Sequence, residues 1–300
     1  MLRWRLILGA LFIAALVGLC WLDFHATRPG VFLLPLAAVL SLAGAGELLA
    51  MFRKRGHTPL PWVVYGGALI TVLLAGASVY MPADWSNSVT VGRLGWLAVG
   101  LATSFAIAVV AELRRYPAQG RATSDLGVSC LAILYIGGLM GFMVQLRLLS
   151  GGPWGKDGRW GMLAIASLIA TVKMSDTGQY WVGRMFGRHK LAPAVSPGKT
   201  WEGAVGGVLF AVGTAWLVFA FSRRSVSAIN DVVPITSFAI AVAIAGIVGD
   251  LAESMLKRDA GVKDSSAWMP GFGGVLDLLD SLLGAAPVAY IFWALRIVGP

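Results

Sequence analysis

The chain has 300 residues, 57% of them hydrophobic and 13% charged, with a mean hydropathy of +0.76. Those values exclude an ordinary soluble domain and read as a polytopic membrane protein. The net charge of +9 needs no nucleic acid to explain it, because membrane proteins gather Lys and Arg on the cytoplasmic side, beside anionic lipid.

At about twenty residues per crossing, nine apolar segments follow in order: 6–22, 31–51, 61–81, 94–112, 126–148, 161–182, 203–221, 235–256 and 275–297. The expected fold class is therefore all-α, an integral membrane protein of about nine transmembrane helices. Residues 1–160 read as a lipid-facing scaffold and residues 161–300 as the catalytic region. The first segment follows Met1-Leu2-Arg3-Trp4-Arg5 and has no small-residue cleavage site before Asp23, so a membrane helix is expected rather than a signal peptide. Cys20 and Cys130 sit inside apolar segments and read as small core hydrophobes. His25, His57 and His189 are scattered without zinc spacing.

Charge sets the orientation. With the N-terminus inside, fifteen Lys and Arg fall on the inner side and eight on the outer, which the positive-inside rule favours. Every polar loop of interest then lies in the cytoplasm, within reach of nucleotides. Glu47 and Glu112 lie near the basic clusters 53–55 and 114–115, where local ion pairs are expected. Trp62, Trp85, Trp96 and Trp154 fall at segment ends as interfacial anchors.

From residue 170 the polarity changes. Lys173, Ser175, Asp176, Thr177 and Gln179 end an otherwise apolar segment, so they must face a polar cavity or other helices. A basic loop, 183–191, leads into Ser196-Pro197-Gly198-Lys199-Thr200-Trp201-Glu202-Gly203. Ser196 followed by Pro197 suits a helix N-cap with Pro at N1, and a helix N-terminus attracts anions. Gly198-Lys199-Thr200 resembles the tail of a phosphate-binding loop, but position 193 is Pro rather than Gly and no strand is expected before it. The loop class is rejected; the inference that this backbone and Lys199 hold phosphate is kept.

Residues 249–281 contain six of the fifteen acidic residues yet join two membrane-competent segments. Asp250, Glu253 and Lys257 share one helix face, and Asp277, Asp280 and Ser281 repeat that pattern on the next segment. Between them lie a charged loop, 257–264, and the turn Pro270-Gly271-Phe272-Gly273-Gly274. Ionisable groups at membrane depth are costly and hence functional by default, and Asp is too short to snorkel far. Carboxylates at two helix ends, with Lys and Arg between them, suggest metal ions and phosphates. Ser254-Met255-Leu256-Lys257 matches a Ser-x-x-Lys motif, but without its companion motifs; Ser254 is expected to hydrogen-bond within the polar face.

Ser254, Lys257, Arg258, Lys263, Asp264, Pro270, Gly273, Gly274, Asp277 and Asp280, with the upstream Asp176-Thr177 and Ser196–Gly203 stretches, together resemble the phosphatidate cytidylyltransferase family. Two positions depart from its pattern: Phe272 stands where the family has His, and Leu278 where it has Arg. The resemblance implies an all-helical bacterial inner-membrane enzyme with its site at the cytoplasmic interface, joining CTP to phosphatidate. It implies Mg²⁺, with a second cation of open identity. Asp250, Asp277 and Asp280 become the expected metal ligands, and Lys257, Arg258, Lys263 and Asp264 the remaining catalytic group. Asp176, Thr177, Ser196, Pro197, Lys199, Thr200, Glu202 and Ser254 become the substrate-binding group. The expected partners are CTP, phosphatidate and membrane lipid, and not nucleic acid; a homodimer stays open. The competing readings are a CTP-dependent lipid kinase of the polyprenol or dolichol type and a cation-coupled transporter. The absence of paired repeats and the clustering of polar residues on one side disfavour the transporter.

Overall fold

The apolar segments are largely helical in the computed structural model, which describes residues 2–81, 92–116, 120–155, 158–222, 231–266 and 273–300, and the segment 61–81 breaks at Gly76 before a further short helix, Ala77–Tyr80. In order they are α1 (Leu2–Phe24), α2 (Leu33–Lys54), α3 (Pro61–Ala75), α4 (Gly92–Arg115), α5 (Ala122–Arg147), α6 (Arg159–Phe186), α7 (Trp201–Ser222), α8 (Val232–Asp259) and α9 (Val275–Ala294). Among the described residues α2, α4, α5, α7, α8 and α9 are long and apolar enough to cross a membrane, while α1 and α3 offer shorter apolar stretches. α6 runs for 28 residues but carries Lys173, Asp176 and Gln179, so only part of its surface suits lipid. Among the described residues the strands form a hairpin, β1 (Lys190–Ala192) antiparallel to β2 (Ser196–Thr200).

The chain packs as two compact units, Met1–Leu148 with Asp259–Leu278, and Leu149–Arg258 with Leu279–Pro300. In the first unit small residues let helices approach closely, as membrane packing requires where lipid is as apolar as the core. A Cβ on Gly137 would come within 2.9 Å of the Ala68 Cα, and one on Gly67 would strike Ile133. Gly137 lies in a π-helical stretch of α5, Ile133–Gly138, which widens the turn facing α3. Ser104 and Thr71 donate to the Gly67 carbonyl at 3.0 and 2.8 Å.

Charge is buried at one end of this unit. Asp23, fully buried, accepts from Arg147 Nε at 2.6 Å and from the backbone N–H groups of Gly30, Phe32 and Leu33. It thereby caps the N-terminus of α2, where Phe32 offers no side-chain acceptor. At the far end of α2 and α4, Arg115 grips Glu112 through two nitrogens at 2.7 and 2.8 Å and reaches Asp125 at 3.1 Å. Glu112 is thus the local ion pair expected of it.

Glu47 is not. Its buried carboxylate accepts from the N–H groups of Val275 and Leu276, both at 2.9 Å, and from Ser265 Oγ at 2.8 Å. These are the first two N–H groups of α9, which its own N-cap, Gly274, cannot satisfy. Asp277, at the third helical position, reaches back to the Gly274 N–H at 2.7 Å, as the acidic half of a capping box does. It also accepts from the Ser265 N–H and Oγ at 3.0 and 2.7 Å. A Cβ on Gly274 would collide with Ser265 Oγ and the Glu47 carboxylate, and Gly273, at φ +81°, has room for none beside Asp277. The Gly273-Gly274 pair is therefore required by two carboxylates converging on one helix start.

These charges make three stability predictions. Asp23→Ala strips a buried guanidinium of its partner and should cost about 3–5 kcal/mol, whereas Arg55→Ala, which breaks the exposed Arg55–Asp259 pair (49% and 71% exposed), should cost less than about 1 kcal/mol. Glu47→Ala leaves the Val275 and Leu276 N–H groups unsatisfied, while Ser265 Oγ keeps Asp277, and should cost about 1–3 kcal/mol. Thermal unfolding of the purified protein in one detergent, read against wild type, checks all three; equal losses for Asp23→Ala and Arg55→Ala would refute the burial argument.

Candidate active site

The hairpin corrects the expectation for 196–203. Ser196 and Pro197 do not open a helix; they lie on β2, and a strand does precede Gly198-Lys199-Thr200. The helix starts at Trp201, with Thr200 as its N-cap: Thr200 Oγ1 accepts the Gly203 N–H at 3.1 Å. Glu202, in the first turn of α7, accepts the backbone N–H groups of Arg188 and His189 and meets His189 Nδ1 at 2.6 Å. Its role here is to fix the entry into β1. Arg258 Nε donates to the Val195 carbonyl at 3.2 Å, tying the hairpin tip to α8.

α6 and α7 meet through glycines. A Cβ on Gly203 would press on the Gln179 carbonyl, and one on Gly207 on the Gln179 Cγ and the Ser175 carbonyl. This close approach puts the polar end of α6 beside β2 and α8, where a cavity of about 430 Å³ opens. Its walls are Asp176, Gln179, Tyr180, Gly183 and Arg184 of α6, Ser196, Gly198, Lys199 and Thr200 of β2, Gly203 of α7 and Asp250 of α8. All belong to the second unit.

Both signs of charge face this space. Lys199 Nζ lies 2.6 Å from Asp250 Oδ2, with both side chains mostly buried. Ser254 Oγ donates to Asp250 Oδ1 at 3.3 Å, one helical turn on. Asp176 pairs with Lys173 at 3.4 Å. The Ser281 hydroxyl lies 3.4 Å from Asp176 Oδ1 and 3.1 Å from Asp280 Oδ1, joining α6 to α9. Asp176, Asp250 and Asp280 are near enough to feel one another's charge. α8 and α9 approach through Gly249 and Gly284, where a Cβ on Gly249 would come within 2.6 Å of the Asp280 carbonyl.

Of the expected site residues, Asp176, Ser196, Lys199, Thr200 and Asp250 line the cavity itself, and Ser254 and Asp280 support it. Thr177 is turned away, exposed and bonded to the Lys173 carbonyl at 2.8 Å. Pro197 is exposed on β2. Lys257 neutralises the fully buried Glu253 at 2.8 Å. Lys263 and Asp264 are exposed in the first unit, which also holds Asp277. Pro270, Gly271 and Phe272 lie outside the described residues. Tyr180, Gly183 and Arg184 were not singled out from sequence as cavity residues, although the signal was present. Residues 176, 179, 180, 183 and 184 form one stripe at helical spacing.

The arrangement suits a phosphate chain with a divalent ion. Mg²⁺ is commonly held by one or two protein carboxylates together with substrate phosphates, rather than by an all-protein cage. Among the described residues no three metal-type side chains already converge on one point. Asp250, Asp280 and Asp176 fit a metal that arrives with a nucleotide, with Lys199 and Arg184 as the cationic complement.

A profile of the Cytidylyltransferase family matches residues 4–296. A phosphatidate cytidylyltransferase of Brucella suis is 35% identical over 231 residues, which cover 76% of this chain and 67% of that protein. One from Bacillus subtilis is 34% identical over 171 residues, 57% of this chain and 59% of the relative. One from Haemophilus influenzae is 41% identical over 133 residues, and there the chain spans about half the relative's length, 46%. With the family profile running across nearly all of its residues, this chain belongs to the cytidylyltransferase family.

Proposed function

We propose that the protein joins CTP to phosphatidate, giving CDP-diacylglycerol and pyrophosphate, at the cytoplasmic face of a bacterial inner membrane. The observation that carries this reading is the cavity in which Lys199 and Arg184 stand among Asp176 and Asp250. It opens where the polar end of a long helix meets apolar ones, so a substrate could keep its acyl chains in lipid while its phosphate enters the cavity. The names borne by the Brucella, Bacillus and Haemophilus relatives point the same way.

In this reaction an oxygen of the lipid phosphomonoester attacks the α-phosphorus of CTP, and the bond to the pyrophosphate breaks in line. The nucleophile is already an anion, so no side chain need remove a proton, in keeping with a cavity lined by no histidine. Lys199 leaves Asp250 for the triphosphate, which frees the Asp250 carboxylate. Arg184 meets the departing negative charge at the exposed end of α6. Asp250 and Asp280 are the proposed Mg²⁺ ligands within the second unit, and the metal would supply neutralisation of the phosphate charges. Asp277 holds the turn before α9, so its replacement tests structure and chemistry together. Asp250 is the cleaner probe.

Asp250→Asn should lower turnover at least about 100-fold, or roughly 2.7 kcal/mol; because it also takes the carboxylate from the mostly buried Lys199 and so lowers stability, turnover is scored per folded protein, below the variant's own unfolding temperature. EDTA should silence wild type and Mg²⁺ restore it. The assay uses labelled CTP, phosphatidate and purified protein; release of CDP instead of pyrophosphate would establish the lipid-kinase reading in its place. For orientation, Gly198, where an added Cβ meets nothing within 4 Å, and Val233, 73% exposed at the start of α8, accept cysteine probes in a background lacking Cys20 and Cys130. Gly198→Cys should react with an impermeant thiol reagent only from the cytoplasmic side and Val233→Cys only from the opposite side. The reverse pattern would remove the site from its nucleotide.

A further inference from the structure

On the reading that the cavity binds CTP, we infer that Gln179 reads the edge of the cytosine base and that Tyr180 supplies the face against which the base stacks. Gln179 is half-buried and is the only side-chain amide among the residues lining the cavity. Its stem is seated on α7, where the missing Cβ of Gly207 leaves room for the Gln179 Cγ. The side chain is thus held from behind, yet its amide makes no hydrogen bond among the described residues. A held amide offering two N–H donors and an acceptor is poised for a partner with the complementary pair. The free edge of cytosine, an amino donor beside a ring-nitrogen acceptor, is such a partner, and amide side chains read adenine through the same adjacent donor and acceptor.

Several other polar groups of the cavity are already engaged. Thr200 Oγ1 caps α7 at 3.1 Å, and Lys199 and Asp250 pair at 2.6 Å. Tyr180 is held by Arg184, whose NH1 donates to the phenol oxygen at 2.8 Å, and 59% of the residue is exposed, so a ring face is open. A guanidinium spread between a phenol and a phosphate would couple base stacking to phosphate binding. Asp176 and Arg184 are eight residues apart, about 12 Å along the helix. The amide and the phenol therefore stand between the acidic end of the wall and its cationic end, on the surface a nucleoside would cover.

The test compares full-length wild type, Gln179→Leu and Gln179→Glu, purified in detergent, by calorimetric binding of CTP, UTP and inorganic tripolyphosphate, together with the steady-state rate. Tripolyphosphate carries the phosphate chain without the base. Gln179→Leu should weaken CTP about tenfold or more, raising KM with little change in kcat, and leave tripolyphosphate binding as in wild type. Gln179→Glu keeps the size of the side chain. Its carboxylate can accept from the cytosine amino group but repels the O4 oxygen of UTP, so preference for CTP over UTP should rise above that of wild type. If Gln179→Leu does not fold, the isosteric Gln179→Glu carries the test alone. Equal weakening of CTP and tripolyphosphate would mean that Gln179 only shapes the cavity. Unchanged CTP affinity and CTP-to-UTP preference in the folded variants would equally overturn base reading. Wild type that neither binds nor consumes CTP would instead remove the functional reading on which this inference rests.

Discussion

The Lys199–Asp250 pair, 2.6 Å apart and mostly buried, is the contact around which the second unit is arranged. A lysine alone among apolar helices would be costly, and so would an aspartate one helical turn from the buried Glu253. Together they are tolerable, and they tie β2 to α8 across the mouth of the cavity. The same logic extends outward: Glu253 takes Lys257, Asp176 takes Lys173, and Arg258 holds the hairpin tip by the Val195 carbonyl. Each of these buried or half-buried charges has a local partner. In the proposed reaction phosphates would take the cations and a divalent ion the carboxylates, so no buried charge would be left alone. A transported monovalent cation would satisfy only half of the set.

In the first unit the equivalent constraint is a helix start. Four N–H groups at the head of any helix lack internal partners, and α9 begins with Gly274, which has no side chain to offer. Glu47 comes from α2, more than two hundred residues earlier in the chain, to accept the first two of those donors, while Asp277 accepts the Gly274 N–H. Both carboxylates touch Ser265, which is thereby tied to the start of α9. The glycines are the consequence, because the carboxylates occupy the space where Cβ atoms would sit. A residue assigned to metal chemistry by resemblance thus also carries a structural duty.

Hydropathy made the helical character legible, because a bilayer-length apolar run permits few other structures, and among the described residues six helices are long and apolar enough to span, where nine were expected. The cavity was half legible. Asp176, Lys199, Thr200 and Asp250 stand out as polar groups in apolar surroundings, and their meeting in one cavity agrees with that reading. Thr177 did not follow, because a hydroxyl can satisfy itself on its own helix; polarity alone does not say which face a threonine takes. The hairpin at 190–200 was missed since its strands are three and five residues long, too short for alternation to show, and Ser196-Pro197 imitates a helix start. Glu47 was misread for a different reason. Its basic neighbours at 53–55 lie nearby in sequence, whereas its true partners are set by tertiary packing, which no local pattern records.

The two departures from the family pattern, Phe272 and Leu278, bear on this division of labour. Phe272 lies outside the described residues, but Leu278 is half-buried in the first turn of α9. An arginine there would be one further cation for a phosphate, and its loss would matter most if the cavity depended on it for positive charge. The second unit carries its own cations: Arg184 and Lys199 line the space, and Lys173 stands beside Asp176. Lys199 is moreover held at the Asp250 carboxylate in the wall of the cavity. The cap that orders α9 uses Glu47, Ser265 and Asp277 and makes no use of position 278. A leucine there leaves the helix start and the cationic wall of the cavity as they are, so its presence does not argue against an active enzyme.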